Sequence, residues 1–311
     1  MTDVVIIGGG PAGLTAAIYT SRREMKTVLI SRDIGGQMSN TSDIENFPGF
    51  DQISGIELAQ KMMTQAQKFG TDIQFEQVKK IEKNATGFTV SSNTKSIETR
   101  SIILAFGKSP RELGVPGEDK FKGRGVSYCA TCDAACYRDK IAVIAGGGNS
   151  AIEAAVLTAK FASKVYVINK NTKFNGEQVR VDAMNEIKNI EVINNDTIIE
   201  ITGDQKVSGI KLKSGKEIAT DGIIVEIGYV VDHTLAQGLI DCDEANQIII
   251  NPLQETSVAG IFAAGDLTTT KYKQIVISAG EGAKAALSCY NYIQKIEGKA
   301  TTIGDWIKKN K

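Results

Sequence analysis

The fold of this chain is decided by the stretch from Val4 to Gly13, which reads Val-Val-Ile-Ile-Gly-Gly-Gly-Pro-Ala-Gly. The apolar run predicts a buried strand, and Gly8, Gly10 and Gly13 then fit the pattern GxGxxG at the start of a predicted helix. In that context the glycines allow a tight turn, close approach of the backbone to a pyrophosphate, and packing of the helix on the strand. The stretch therefore predicts a nucleotide-binding βαβ unit rather than an ordinary strand-to-helix turn.

A second stretch, from Ile141 to Ala151, repeats this order and reads Ile-Ala-Val-Ile-Ala-Gly-Gly-Gly-Asn-Ser-Ala. Ala151 takes the place of the third glycine, where a small residue is sufficient for packing. Two such units predict an α/β protein with two Rossmann-like nucleotide-binding domains, each a three-layer arrangement around a largely parallel sheet. For the second copy, the alternative is a degenerate unit that keeps the fold and has lost its ligand.

The segment from Gly260 to Asp266 again ends a predicted strand with a glycine and an acidic residue, and a helix is predicted from about Gln274. Such a segment can aim backbone N–H groups at an anion or a carbonyl group. If it returns to the first domain, that domain is discontinuous and the second domain is inserted into it. We therefore expect a first domain made of residues 1–113 and 246–311, and an inserted domain made of residues 114–245.

The composition excludes several classes of protein. Among the 311 residues, Lys plus Arg and Asp plus Glu both number 36, so the formal net charge is zero and binding of nucleic acid by charge attraction is not expected. Hydrophobic residues make up 42% and charged residues 23%, which is the balance of a globular protein. No apolar run approaches the roughly 18 residues of a membrane helix, and the sequence before Val4 has no features of a secretory signal. We expect a cytoplasmic protein that does not bind a membrane.

Redox chemistry is indicated by Cys129-Ala130-Thr131-Cys132-Asp133. A CxxC pair in a reducing compartment, together with βαβ units, indicates a redox-active dithiol, and the nucleotide sites offer a source of electrons. Asp133 is placed to protonate a leaving thiolate, to cap the following helix, or to do both. A zinc half-site is the competing interpretation of the pair. We expect no metal site, because Cys136 has no fourth cysteine nearby and the single histidine, His233, has no motif around it.

Taken together, the motifs resemble those of the low-molecular-weight thioredoxin reductases, in order and spacing and over essentially the whole chain. The resemblance rests on Gly8 to Gly13, Gly35-Gly36-Gln37, Glu45-Asn46-Phe47-Pro48-Gly49, Ser127 to Asp133, Gly146 to Ser150 and Gly260 to Asp266. It implies a homodimeric FAD enzyme whose partner is thioredoxin or a similar small CxxC protein. It also implies that Cys132 faces the flavin, that Cys129 attacks the disulfide of thioredoxin, and that Asp133 is the acid.

The same resemblance assigns FAD to the first glycine motif and the final Gly-Asp segment, with Asp266 at the ribityl chain and Gln274 and Ile275 at the flavin ring. Ser31 stands where such units often carry an acidic residue, and its hydroxyl can still bond a ribose. The residues expected to bind the cofactor are Gly8, Gly10, Pro11, Ala12, Gly13, Ser31, Gly36, Gln37, Asn46, Gly107, Gly265, Asp266, Lys273, Gln274 and Ile275.

The electron donor stays open at the level of sequence. The residues expected at a pyridine nucleotide site are Gly146, Gly148, Asn149, Ser150, Ala151, Glu153 and Lys170. The family carries arginines for the 2′-phosphate of NADPH after the second unit, whereas this chain reads Asn169-Lys170-Asn171-Thr172-Lys173-Phe174-Asn175. A lysine offers only a point charge where a guanidinium group makes two bonds to phosphate. NADPH, NADH, a deazaflavin and reduced ferredoxin are the candidate donors.

The dithiol and the second glycine motif fall in the same predicted domain, so a flavin held by the other domain can meet only one of them at a time. We therefore expect a domain rotation that alternates hydride delivery to the flavin with electron transfer to the disulfide. The function indicated is thioredoxin-disulfide reduction. The alternatives are a flavin-dependent ferredoxin or quinone reductase of similar fold, and a non-enzymatic redox sensor.

Overall fold

The computed structural model describes residues 1–40, 44–235 and 237–300, without the side chains of Asn40, Cys132 and His233. The strands are β1 Thr2–Ile7, β2 Thr27–Ser31, β3 Asp72–Phe75, β4 Val78–Asn84, β5 Gly87–Ser92, β6 Ser96–Leu104, β7 Ser109–Pro110, β8 Val126–Ser127, β9 Ile141–Ala145, β10 Lys164–Asn169, β11 Ile190–Asn194, β12 Ile198–Gly203, β13 Val207–Leu212, β14 Glu217–Ala219, β15 Gly222–Val225, β16 Tyr229–Val230 and β17 Ile261–Ala263. The α-helices are α1 Pro11–Ser21, α2 Gly55–Lys68, α3 Glu118–Phe121, α4 Ala130–Asp133, α5 Asn149–Ala159, α6 Gln178–Asn185 and α7 Ile275–Ile296.

The chain forms two compact units, one of Met1–Lys108 with Val231–Lys311 and the other of Ser109–Val230. The second unit is thus inserted into the first, and the chain passes between the units after residues 108 and 230. The sequence predicted these boundaries after residues 113 and 245. The second crossing comes earlier because Val231 and Ile240 are buried in an apolar cluster of the first unit that also contains Val5 and Ile7. The sequence around Val231 and Ile240 has no pattern that indicates which unit would bury them.

The first unit is built on a seven-stranded sheet with the order β3-β2-β1-β6-β5-β4, in which β17 also pairs with β6. Pairing is parallel among β3, β2, β1, β6 and β17, and antiparallel among β6, β5 and β4. The residues of β1 alternate between two cores: Val4 and Ile6 pack with α1, α2 and α7, whereas Val5 and Ile7 pack on the opposite face. Burial of both faces explains why Val4 to Ile7 of this strand are all apolar.

The second unit has a parallel sheet with the order β11-β10-β9-β15-β8. One face of β9 carries Ala142 and Ile144, which pack with α5 and α6, and the other carries Val143 and Ala145, which pack with the antiparallel sheet β12-β13-β14. These layers are helices, parallel sheet and antiparallel sheet. The predicted α/β class with two Rossmann-like units is confirmed.

Within the described part of the chain, no helix combines the length and the apolar character needed to cross a membrane.

Candidate functional site

The first glycine turn joins β1 to α1, and its glycines differ in what surrounds them. Gly8 has φ +113°, and a Cβ atom there would lie 2.3 Å from the carbonyl oxygen of Ala105. A Cβ atom at Gly13 would lie 1.8 Å from the carbonyl oxygen of Gly8, so helix and turn are in direct contact. A Cβ atom at Gly10 would meet nothing closer than 3.9 Å. The turn therefore leaves open space beside Gly10 at the helix N-terminus, which begins with Pro11 and Ala12, as a nucleotide pyrophosphate requires.

The loop after β2 folds back onto this turn. The Ser31 hydroxyl accepts a hydrogen bond of 2.9 Å from the Gly9 N–H, and the Gly35 N–H donates to the Gly9 carbonyl oxygen at 2.7 Å. The Gln37 side chain donates to the carbonyl oxygen of Lys108 at 2.9 Å. The predicted loop residues and the glycine turn are thus brought together.

Two further glycines border the same open space. A Cβ atom at Gly36 would approach only the Cα atom of Gly10, at 3.7 Å, and one at Gly107 would meet nothing within 4 Å. Because the turn, the Gly36 loop and the start of the segment after β6 all leave room, the residues present fit a bound nucleotide cofactor.

The last strand of the first unit, β17, leads to Gly265 and Asp266. The Gly265 N–H donates to the buried carboxylate of Glu281 at 2.7 Å. One carboxylate oxygen of Asp266 lies 3.4 Å from the Lys108 ammonium. The other accepts a hydrogen bond of 3.3 Å from the Ser278 hydroxyl. Asp266 is therefore held between the segment after β6 and the first turn of α7.

The start of α7 holds the other residues predicted for the flavin ring. The Asn46 amide donates to the Gln274 amide oxygen at 3.1 Å, and Ile275 is the first residue of the helix and packs against the core. The Lys273 ammonium donates to the Thr268 carbonyl oxygen at 2.6 Å, and burial lowers the pKa of this amine. The structure thus brings all of the predicted FAD residues into the first unit.

The second glycine turn, between β9 and α5, also has open space. A Cβ atom at Gly148 would meet nothing within 4 Å, whereas Ala151 is fully buried against the core. The Gly147 carbonyl oxygen accepts from the Asn175 N–H at 2.7 Å, and the Asn149 side chain accepts from the Glu177 N–H at 2.8 Å. The loop after β10 therefore lies against this turn, with Gly146 and Ser150 at its two ends.

That loop holds no arginine from residue 169 to residue 175. Asn169 is fully buried at the end of β10, and its amide donates to the Asn194 side chain at 2.9 Å. Lys170 is exposed. The nearby Arg180 is paired with the carboxylates of Glu153 and Glu177. The loop after β10 itself therefore offers only lysines as cations for a 2′-phosphate.

The CxxC segment follows β8, which pairs with β15, which in turn pairs with β9. Carboxyl ends of parallel strands lie at one edge of a sheet, so the segment and the second glycine turn share an edge. Cys129 is in a disulfide, and Cys136, Cys242 and Cys289 are free thiols. The side chain of Cys132, predicted to face the flavin, lies outside the described part of the structure.

Asp133 is held by Ser127, the last residue of β8. The Ser127 hydroxyl donates to the Asp133 carboxylate in a short contact and accepts from the Cys129 N–H at 3.1 Å. The Asp133 N–H donates to the Cys129 carbonyl oxygen at 3.1 Å. Asp133 is the N-cap residue of the 3-10 turn Ala134–Tyr137, but its side chain makes no capping hydrogen bond there.

A carboxyl group that the sequence analysis did not single out, Glu226, follows β15 at the same edge. Its side chain accepts a hydrogen bond from the Ala130 N–H, and its own N–H donates to the Ala145 carbonyl oxygen at 2.7 Å. Burial, with a smaller contribution from the charge of Glu153, raises the pKa of Glu226 to about 7. Its position directly after a fully buried strand is the only sequence signal that could have indicated it.

Four side chains that contact these segments were not among the predicted site residues, namely Lys108, Ser127, Glu226 and Glu281. Ser127 stands inside a motif quoted above, but its contact with Asp133 depends on backbone geometry. The partners of the other three are distant in the sequence. Of the free thiols, Cys136 is exposed and Cys289 is buried. Burial raises the pKa of Cys289 to about 12, and no group of three or more potential metal ligands occurs in the described ranges.

Comparison with known proteins gives consistent matches. Residues 2–282 match the family described as pyridine nucleotide-disulphide oxidoreductase. A thioredoxin reductase from Listeria innocua is 38% identical over 302 residues, which are 95% of this chain and 95% of that protein. The crystal structure of Lactococcus lactis thioredoxin reductase in its FR conformation has a TM-score of 0.82 and 36% identity, covering 95% of this chain and 100% of that one. A ferredoxin-flavin thioredoxin reductase from Clostridium acetobutylicum has a TM-score of 0.53 and 34% identity, covering 96% and 99%.

Proposed function

The chain belongs to the pyridine nucleotide-disulphide oxidoreductase family, and from this premise we propose that it is a thioredoxin-disulfide reductase. It is an FAD-dependent oxidoreductase that passes electrons from a reduced donor through the flavin to Cys129 and Cys132 and on to thioredoxin. The observation that carries the proposal is the placement of a disulfide-bonded Cys129 and a hydrogen-bonded Asp133 at one edge of the inserted sheet.

FAD would be held entirely by the first unit. The open space beside Gly10 suits its pyrophosphate, Asp266 would bind the ribityl chain, and Gln274 would lie at the ring. When bound, the flavin supplies two-electron chemistry that the side chains themselves lack. The residues of this chain bind and orient it, while the dithiol and its acid belong to the inserted unit.

In the reduction of thioredoxin, the Cys129 thiolate attacks one sulfur of the substrate disulfide and the substrate S–S bond breaks. The leaving thiolate takes a proton from Asp133. The Cys132 sulfur then attacks the Cys129 sulfur, the mixed disulfide breaks, and the second thioredoxin sulfur leaves with the proton that the Cys132 thiol gives up, so the chain regains its own disulfide. Each turnover thus transfers two electrons and two protons to thioredoxin, one proton from Asp133 and one from the Cys132 thiol.

The test is the variant Cys132→Ser, with Cys136→Ser as the matched control. Cys132→Ser should retain bound flavin and lose thioredoxin reduction, because no internal disulfide can form or open. Cys136 is an exposed free thiol four residues further on, so its variant should keep full activity. Full activity of Cys132→Ser on thioredoxin would refute the function. Retained flavin reactivity with ferredoxin or quinones alone would support the alternative reductase of similar fold.

A pyridine nucleotide is the proposed electron donor, bound at the second glycine turn through Gly146, Gly148, Asn149, Ser150, Ala151, Glu153 and Lys170. The space at Gly148 supports this site. Reduced ferredoxin is the second candidate, because the chain resembles a ferredoxin-flavin thioredoxin reductase and its loop after β10 has no arginine. With lysines alone, discrimination between NADPH and NADH should be weak.

Three further properties are proposed on the basis of the family. The enzyme is a homodimer, it works in the cytoplasm, and the inserted unit rotates between two positions during turnover. Domain boundaries that leave the dithiol and the second glycine turn in one unit support the rotation, because both need access to the same flavin.

A further inference from the structure

The Ser127 hydroxyl occupies the centre of the hydrogen bonds around the dithiol. It accepts from the Cys129 N–H at 3.1 Å and has two acceptors within reach, namely the Asp133 carboxylate and, at 3.4 Å, the Cys129 carbonyl oxygen. A hydroxyl has one proton to donate, so it can serve only one of these acceptors at a time. Ser127 itself is fixed at the end of β8, where it pairs with Ile224 of β15.

The Asp133 carboxylate lies closer to the hydroxyl than the Cys129 carbonyl oxygen does, so it is the better placed acceptor when Cys129 is in a disulfide. From this geometry we infer that Ser127 is a positioning residue, whose hydroxyl alternates between the Asp133 carboxylate and the Cys129 carbonyl oxygen as Asp133 loses and regains its proton.

The inference rests on the proposed role of Asp133 as the acid. When Asp133 gives its proton to the leaving thiolate of thioredoxin, the new carboxylate needs a donor, and the Ser127 hydroxyl turns towards it. When Asp133 regains a proton from solvent during the next reduction of the dithiol, its oxygen no longer needs that donor and the hydroxyl can turn to the Cys129 carbonyl oxygen. The Cys129 N–H bond is kept in both orientations, so the backbone of the dithiol does not move.

Other titratable groups face this cluster. Tyr137, on the turn after Asp133, has its pKa raised by burial first and then by the charge of Asp133. The Glu226 side chain, after β15, accepts a hydrogen bond from the N–H of Ala130, the first residue of α4. The Ser127 hydroxyl is the group in hydrogen-bond contact with both the Asp133 carboxylate and the backbone of Cys129.

The test compares Ser127→Ala with Ser127→Thr, which keeps a hydroxyl. For Ser127→Ala we expect a roughly ten-fold lower kcat with thioredoxin. This loss should be smaller than that of Asp133→Asn, which removes the general acid itself. The loss should appear in kcat and leave KM for thioredoxin unchanged, because the hydroxyl acts on Asp133. Ser127→Thr, which keeps the donor, should restore kcat.

The control is Ser163→Ala, since Ser163 is an exposed serine of the same unit whose hydroxyl donates only to the Lys140 carbonyl oxygen. It should keep the wild-type kcat. An unchanged kcat in Ser127→Ala, a change in KM alone, or a Ser127→Thr variant as impaired as Ser127→Ala would overturn the inference. If the inference holds, adding Ser127→Ala to Asp133→Asn should lower kcat no further. Full activity of Asp133→Asn would instead contradict the acid role on which it rests.

Discussion

Single residues of the first turn show how one spacing serves three purposes. Gly8 needs a positive φ, Gly13 needs to touch the turn, and Gly10 needs only to leave room. The spacing GxGxxG predicted all three positions, because each requirement is local to a strand, a turn and a helix. The same reasoning could not find Ser127 or Glu226, because a serine before a CxxC and a glutamate after a strand have no pattern of their own.

Glu226 gives a prediction at this scale. Its pKa of about 7 in the folded protein lies above the ordinary value of 4.5 for a glutamate, so folding binds a proton between these pH values and the free energy of unfolding falls as pH rises through that window. Partial exposure reduces the effect to on the order of 2 kcal/mol. Glu226→Gln removes the titration and can still accept from the Ala130 N–H. It should therefore be more stable than the wild type at about pH 8 and similar to it at about pH 4.

The measurement is urea unfolding of the flavin-bound protein across that range. Glu186→Gln, at an exposed carboxyl group of the same unit, is the control and should follow the wild-type curve. A parallel pH dependence of Glu226→Gln and the wild type would contradict the prediction.

At the scale of elements, the clearest feature is the packing of α7 on α1. A Cβ atom at Gly282 would lie 2.1 Å from the carbonyl oxygen of Ala12, so the two helices are in backbone contact there. This contact brings the first turn of α7, and with it Gln274 and Ser278, to the glycine turn at the start of α1. The sequence predicted both helices, but their pairing depends on a glycine in the middle of a long amphipathic helix, which periodicity alone does not explain.

Two substitutions in α7 separate packing from helix propensity. Gly282→Ala should destabilise the protein by roughly 1–3 kcal/mol, because the added methyl group meets backbone that cannot turn aside. Gly280→Ala, at an exposed position of the same helix with nothing within 4 Å, should stabilise it by about 0.5–1 kcal/mol. Thermal unfolding of the two variants beside the wild type measures the difference. Equal effects of the two would mean that the close contact is absent.

At the scale of the whole molecule, the two units divide the chemistry. The residues proposed to hold FAD lie in residues 1–108 and 231–300, and the CxxC pair, the proposed acid Asp133 and the second glycine turn lie in residues 109–230. The choice of electron donor therefore decides whether the second glycine turn is used at all.

Anaerobic mixing with NADH, NADPH or reduced ferredoxin, followed through the flavin absorbance, identifies the donor. We expect a pyridine nucleotide to bleach the flavin, with little preference between the two forms because the loop after β10 offers only lysines. Gly148→Val fills the space at the second turn, so it should lose bleaching by nucleotides and keep bleaching by dithionite. Bleaching by ferredoxin alone, unchanged in Gly148→Val, would favour the second candidate donor.

The amino-acid sequence alone determined the two βαβ units, the dithiol with its adjacent acid, and the class of the fold. These features are encoded within about a dozen consecutive residues each, where backbone periodicity and turn chemistry act directly. Tertiary structure decided which distant groups meet. Asn46 and Gln274 are 228 positions apart, and residues 231–245 join the first unit through the burial of Val231 and Ile240. Such contacts depend on how apolar faces pack against one another, and a local sequence pattern does not predict which faces will meet.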